Sequence, residues 1–243
     1  MLEAELALEQ GRASEALAKL DALKREAGAH TAALRLSVRA LAAAGRSSEV
    51  PAVVDQLVRR KVYDADQGAM VRASAQADAL AGLAHDAAGL RDAWNRLPEA
   101  DRLHPKVALA AAKAFARQGG DREAAEILAR SLERQWDPAL VAAYADCRSS
   151  DVSPQLETAE RWLAQHSDDA TLLCALGRLC ERAQLWGKAQ TYFEASLALD
   201  DHWRAHVLLG NMLVRLGRVD EANAHLAAAL RLALAGLGEP GLA

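Results

Sequence analysis

Between Ala170 and Leu232 the order of large apolar, small and polar positions is written twice. Leu173, Leu176, Gly177, Cys180, Ala189 and Phe193 return as His206, Leu209, Gly210, Leu213, Ala222 and Leu226, each 33 residues on. Inside each copy the apolar positions recur at helical spacing, and a short polar break splits the copy into two helices. The same order is legible earlier. Residues 1–30 carry it with a break at Gly11 followed by Ala16 and Leu20, and 31–64 with Val38, Leu41, a break at Gly45, Val50 and Val54. Residues 105–137 carry it with Ala112, Phe115, the Gly119-Gly120 break, Ala124 and Leu128. Pro51 falls in the first turn of its helix, where a missing N–H costs nothing.

Two stretches keep helical periodicity but lose the order. In 65–104 one long helix is predicted from Asp66 to His85 and a shorter one over Leu90–Leu97, carrying Trp94 and closed by Pro98. In 138–169 a short pair is broken by "RSSDVSP", with Pro154 opening the second helix and Trp162 and Leu163 packing inward. Residues 235–243 have no periodicity and are expected to fray. A helix-turn-helix unit repeating at this length cannot bury its own apolar face, so stacking is required. The expectation is one all-α solenoid over 1–234, a right-handed superhelix of antiparallel helix pairs.

The repeated positions resemble the tetratricopeptide repeat (TPR), whose pattern runs W-x2-L-G-x2-Y, then Ala, Phe and Pro. Cys180 and Leu213 stand at its tyrosine and Asp201 at its closing proline. The small residues are expected to let paired helices approach closely, Gly177 against Ala189 and Gly210 against Ala222.

Composition narrows the class. Hydrophobic residues make up 51% and aromatics only 4%, so alanine and leucine form the apolar surface, as in helix stacks. A net charge of −4 with pI near 6.0 gives no global reason to expect nucleic acid. Cys147, Cys174 and Cys180 form no C-x2-C pair, which argues for a reducing compartment. No run is apolar enough to span a bilayer, and "MLEAELALEQG" carries charges where a signal peptide needs an apolar core. The chain opens inside a helix without a capping signal, which suggests a boundary within a longer protein.

A more specific likeness lies between Gly89 and Leu140. Gly89-Leu90-Arg91 with Trp94, the Val107-Ala108-Leu109 run flanked by Lys106 and Lys113, Ala124 with Ile127-Leu128, and Trp136-Asp137 together resemble the proteobacterial HemY family, as does the opening "AELALEQGRASEALAKL". That resemblance implies a bacterial inner-membrane protein with two N-terminal membrane helices, absent from this chain, and a repeat domain on the cytoplasmic face. It also implies a role in late protohaem synthesis, with haem-synthesis enzymes as partners and haem or protoporphyrin as a possible ligand. No G-x-G-x-x-G fingerprint supports a flavin.

If the chain follows the TPR family, the first helix of each pair lines a concave groove. The groove positions hold Arg35 and Arg39, then Lys106, Lys113 and Arg117, then Arg178 and Arg182, then Arg204, Asn211 and Arg215, with Glu181 the sole acid read there. The second helices carry acids instead: Glu15, Asp21, Glu49, Asp55, Glu123, Glu126, Glu157, Glu160, Glu194, Asp220 and Glu221. A basic inner wall and an acidic back follow, suited to an anionic partner: an acidic or C-terminal peptide segment, or tetrapyrrole propionates. Any single arginine at such spacing is more often part of a solvated face. His202 and His206, one helical turn apart, could offer two imidazoles to a metal or haem iron, but His206 takes the family's tryptophan packing position and no third ligand is evident. Cys174 lies on the groove as a small filler or, less simply, a soft ligand. There is no nucleophile elbow, H-E-x-x-H or phosphate loop, so a scaffold is favoured over an enzyme. A generic adaptor for an acidic peptide, unconnected with haem, is the alternative.

Overall fold

The computed structural model describes residues 1–28 and 30–238, with no strand among them. The chain gathers into two compact units divided between Gln135 and Trp136. In a stack each pair touches only its neighbours, so no contact of long sequence range ties such a chain into one core.

The first unit contains α1 (Leu2–Glu9), α2 (Ala13–Ala27), α3 (Thr31–Ala43), α4 (Val50–Arg59), α5 (Ala65–Gly82), α6 (Ala87–Arg96), α7 (Glu99–Arg102), α8 (Pro105–Arg117) and α9 (Asp121–Arg134). Neighbours pack in chain order, except that α5 lies mainly on α8. The expected long helix of the degenerate stretch is α5, opened by a reciprocal capping box of Asp64 and Gln67. Pro98 divides its partner helix into α6 and the single turn α7. Leu80, Leu90, Val107, Phe115 and Leu128 close the interior there, each almost wholly buried.

The second unit contains α10 (Pro138–Asp146), α11 (Ser153–Leu163), α12 (Ala170–Arg182), α13 (Trp186–Leu199), α14 (Trp203–Arg215) and α15 (Val219–Gly238). Helices α10, α12 and α14 pack in sequence, α12 and α14 lie on their own partners α13 and α15, and α11 lies mainly on α12. Asp137 and Asp169 cap α10 and α12 through their side chains, and Pro138 and Pro154 stand in the first turns of α10 and α11. The expected fraying begins too early: residues 235–238 continue α15, whose small and apolar residues sustain the helix, while 239–243 lie outside the described residues.

The close approach inside each pair is real: Gly210 meets the expected Ala222 as well as Leu226, whereas Gly177 meets Phe193 rather than Ala189. A methyl on Gly177 would stand 2.6 Å from the ring of Phe193, and one on Gly210 would stand 2.9 Å from Leu226 and 3.3 Å from the Ala222 carbonyl. The bulky residue one turn after the alanine lies over the glycine, because a helical side chain leans toward the N-terminal turn.

Candidate functional site

In the second unit the three first helices share one face, and that face is concave. Ala142 and Ala145 from α10, Thr171, Cys174, Ala175 and Arg178 from α12, and His202, Trp203 and Arg204 at the start of α14 enclose a cavity of about 240 Å³. Its floor is methyl groups and a thiol. Trp203 stays 46% exposed at the rim, with the Arg204 guanidinium 5.7 Å from its ring centre. Burial holds the Cys174 thiol up at about 11, against the pull of Arg178 and Arg204, so the sulfur lines the pit as a neutral thiol rather than as a soft anionic ligand.

The expected cations of this unit fall into two kinds. Arg178 ion-pairs with Asp146 of α10, and Arg215 reaches Glu181 at 3.2 Å. Burial raises the Glu181 carboxyl above its ordinary value, and Arg215 and then Arg178 work against that rise. Arg204 and Asn211 are exposed, and Arg204 forms no ion pair among the described residues. Glu181 is therefore not the sole acid on this wall. Asp146 was missed because it ends a helix in the stretch where the repeat order is lost.

Arg182 corrects the groove reading. Its guanidinium turns away from the wall and donates to the Ala145 carbonyl at 3.1 Å, the Cys147 carbonyl at 2.6 Å and Gln155 Oε1 at 2.8 Å. These are the carbonyls left open where α10 stops short. Gln155 is 4% exposed; its Nε2 donates to the Tyr144 carbonyl at 2.7 Å and its Oε1 also accepts from Ser149 Oγ. This buried amide, which joins α10, α11 and α12, carries no periodic signal in the sequence.

In the first unit Arg35 and Arg39 lie exposed on α3, and Lys106, Lys113 and Arg117 exposed on α8. Arg35 stacks over Tyr63 at 5.7 Å, and Lys106 Nζ donates to Ser74 Oγ of α5 at 2.9 Å. Arg39, Lys113 and Arg117 make no ion pair among the described residues. Trp94 sets its edge to Phe115, with Arg102 over its ring at 5.8 Å. It acts as a wedge beside the broken helix.

The acidic back is largely neutralised. Arg12, Arg46 and Arg218 each stand three residues before the acid they bind, Glu15, Glu49 and Glu221, where a second helix begins. Asp55, Glu123, Glu126 and Glu160 find Arg72, Arg91, Arg122 and Lys188.

The histidine pair is not set up as a ligand pair. His202 Nδ1 accepts the Arg204 and Ala205 N–H groups as the cap of α14. His206 Nε2 lies 2.7 Å from Asp201 Oδ1, and its Nδ1 lies 2.8 Å from Nδ1 of His225 on α15. Asp201 fixes the order: His206 donates Nε2–H to the carboxylate, so its Nδ1 accepts from His225. Burial, and then the neighbouring His206, hold His225 below its ordinary 6.5, opposed by Glu194 and Glu221. The unfolded chain then binds a proton that the folded chain refuses. Stability is therefore full above about 6.5 and is lost as pH falls below it. The melting temperature should drop as pH is lowered through this window, and drop less in His225→Gln; equal drops would assign the effect to other groups. Among the described residues no group of three His, Cys, Asp or Glu could hold a metal ion, and no helix is long and apolar enough to cross a membrane.

The fold and the wall define an all-α, TPR-like protein of stacked antiparallel helix pairs. No family model matches the chain, and no curated protein matches it. Among solved structures it is similar to MamA, at 17% identity and a TM-score of 0.46 over 66% of this chain and 96% of that one. A MamA fragment from Desulfovibrio magneticus RS-1, running from residue 41 to the end, matches at 18% identity and a TM-score of 0.43, covering 66% and 96% of the two chains. A double mutant of RS-1 MamA matches at 14% and 0.44 over 80% and 98%. No residue role follows from likenesses this distant.

Proposed function

We propose that this chain is a non-catalytic scaffold that binds acidic protein segments through the basic faces of its first helices. The observation that carries the reading is the wall of the second unit. An apolar pit lies between Arg178 and Arg204 there, with Asn211 and Arg215 further along α14. Each exposed guanidinium–carboxylate contact contributes only roughly 0.2 to 1 kcal/mol, so affinity needs several contacts made at once with apolar burial.

The role implied by the HemY resemblance is a finer form of the same reading: an inner-membrane-anchored scaffold in late protohaem synthesis, with haem-synthesis enzymes as partners. Its support is the sequence between Gly89 and Leu140, and the site adds nothing specific to it. Direct porphyrin contact has less support. The pit, at about 240 Å³, is below the roughly 300 to 1,000 Å³ that encloses a drug-sized ligand, and Cys174 is kept as a thiol.

Anisotropy of a fluorescein-labelled poly-glutamate peptide tests the reading, repeated with Arg178→Glu plus Arg215→Glu and with protohaem as competitor. Saturable binding that weakens at least tenfold in the double variant and falls with added salt is expected. Binding unchanged by the charge reversals would overturn it, and displacement by protohaem would favour the haem-linked form.

A further inference from the structure

The pit in the second unit is more selective than a basic wall requires. Ala145 and Ala175 are 1% and 3% exposed, so its floor is closed by methyl groups, with the neutral Cys174 thiol beside them. Apart from the Thr171 hydroxyl, the small side chains lining the pit are methyl groups and this thiol. Of the two guanidiniums at the rim, Arg178 already holds Asp146, whereas Arg204 forms no ion pair among the described residues and lies against the exposed Trp203. An apolar floor for one side chain, an aromatic wall and one unneutralised arginine are the parts of an anchor site.

We propose, resting on the groove reading above, that this pit selects one large aliphatic side chain, leucine or methionine, flanked by an acidic residue in the bound protein segment. The aliphatic group displaces water from the methyl floor and contacts the Trp203 ring, while the neighbouring carboxylate accepts from Arg204. Unbranched or γ-branched chains reach the floor between α10 and α12. The wall alone, without the pit, would read charge but not sequence.

Calorimetry on the full chain decides this with three peptides: acetyl-Glu-Glu-Leu-Glu-Glu-amide, the same peptide with Ala in place of Leu, and acetyl-Gln-Gln-Leu-Gln-Gln-amide. The leucine peptide is expected to bind about tenfold tighter than the alanine peptide, as partial burial of the extra methyl groups dictates. Ala142→Leu, which fills the pit from its half-buried edge, should erase that preference. Trp203→Ala, at an exposed position, should reduce it without touching the core. Arg204→Gln should weaken both acidic peptides. Equal affinity for the leucine and alanine peptides would overturn the anchor site and leave the charge-reading wall standing. No binding by either would overturn both. An uncharged leucine peptide binding as tightly as the acidic one would overturn the role of Arg204.

Discussion

Arg182→Ala is expected to destabilise the second unit by about 2 to 4 kcal/mol, an effect far larger than its place among the groove cations would suggest. The guanidinium makes charge-assisted hydrogen bonds to two main-chain carbonyls and to Gln155, and such bonds contribute roughly 1.5 to 3 kcal/mol each when their acceptors would otherwise be left buried and unmet. Part of that loss is recovered because water reaches the half-buried site. Arg182→Lys should recover less than half, since one ammonium cannot span three acceptors in a plane. Arg215→Ala is the contrast: its side chain is 65% exposed although its partner Glu181 is only 12% exposed, and its loss should change stability by about 1 kcal/mol or less. Urea unfolding of the three variants separates them. Arg182→Ala with wild-type stability would mean that α10 does not depend on this cap.

The second large effect is at Gly177. Gly177→Ala is expected to cost about 1 to 3 kcal/mol although alanine is the better helix former by roughly 1 kcal/mol. The new methyl would lie 2.6 Å from the Phe193 ring, and Phe193 is fully buried with no room to move aside. Gly210→Ala meets a gentler neighbour. Leu226 is half-buried and can change rotamer toward solvent, leaving the 3.3 Å approach to the Ala222 carbonyl, so the cost should be smaller than at Gly177. A thermal melt of both variants tests the pair; equal costs would mean that ring and leucine yield alike.

These two residues also mark how far the sequence could be read. The repeat order around Gly177 and Gly210 was legible because it depends on residue size at fixed spacing, and helix pairs appear where that order stands. Which residue covers the glycine was not legible, since it depends on the lean of Phe193 and Leu226 rather than on their spacing. The frame places Arg178 and Arg204 on first helices, and both line the pit. Arg182, at the frame position of Arg215, instead meets a helix that ends after Asp146. The length of α10 is set by the stretch from Cys147 to Val152, which has no periodicity, so neither the open carbonyls nor Asp146 could be placed from the frame. Gln155 and Trp203 had no signal beyond being polar or aromatic at a helix start. The recurring arginine three before an acid, at Arg12, Arg46 and Arg218, was visible in the spacing, and it explains why the back of the repeats is less acidic than its glutamates imply.

The central claim is that the first-helix face of the second unit binds acidic segments. Amide chemical shifts of the ¹⁵N-labelled full chain, recorded while acetyl-Glu-Glu-Leu-Glu-Glu-amide is added, test it most directly. The account predicts saturable shifts centred on Ala142–Ala145, Thr171–Arg178 and Trp203–Arg215, with weaker binding in Arg204→Gln. Shifts centred on α11, α13 or α15, or none at saturating peptide, would contradict it.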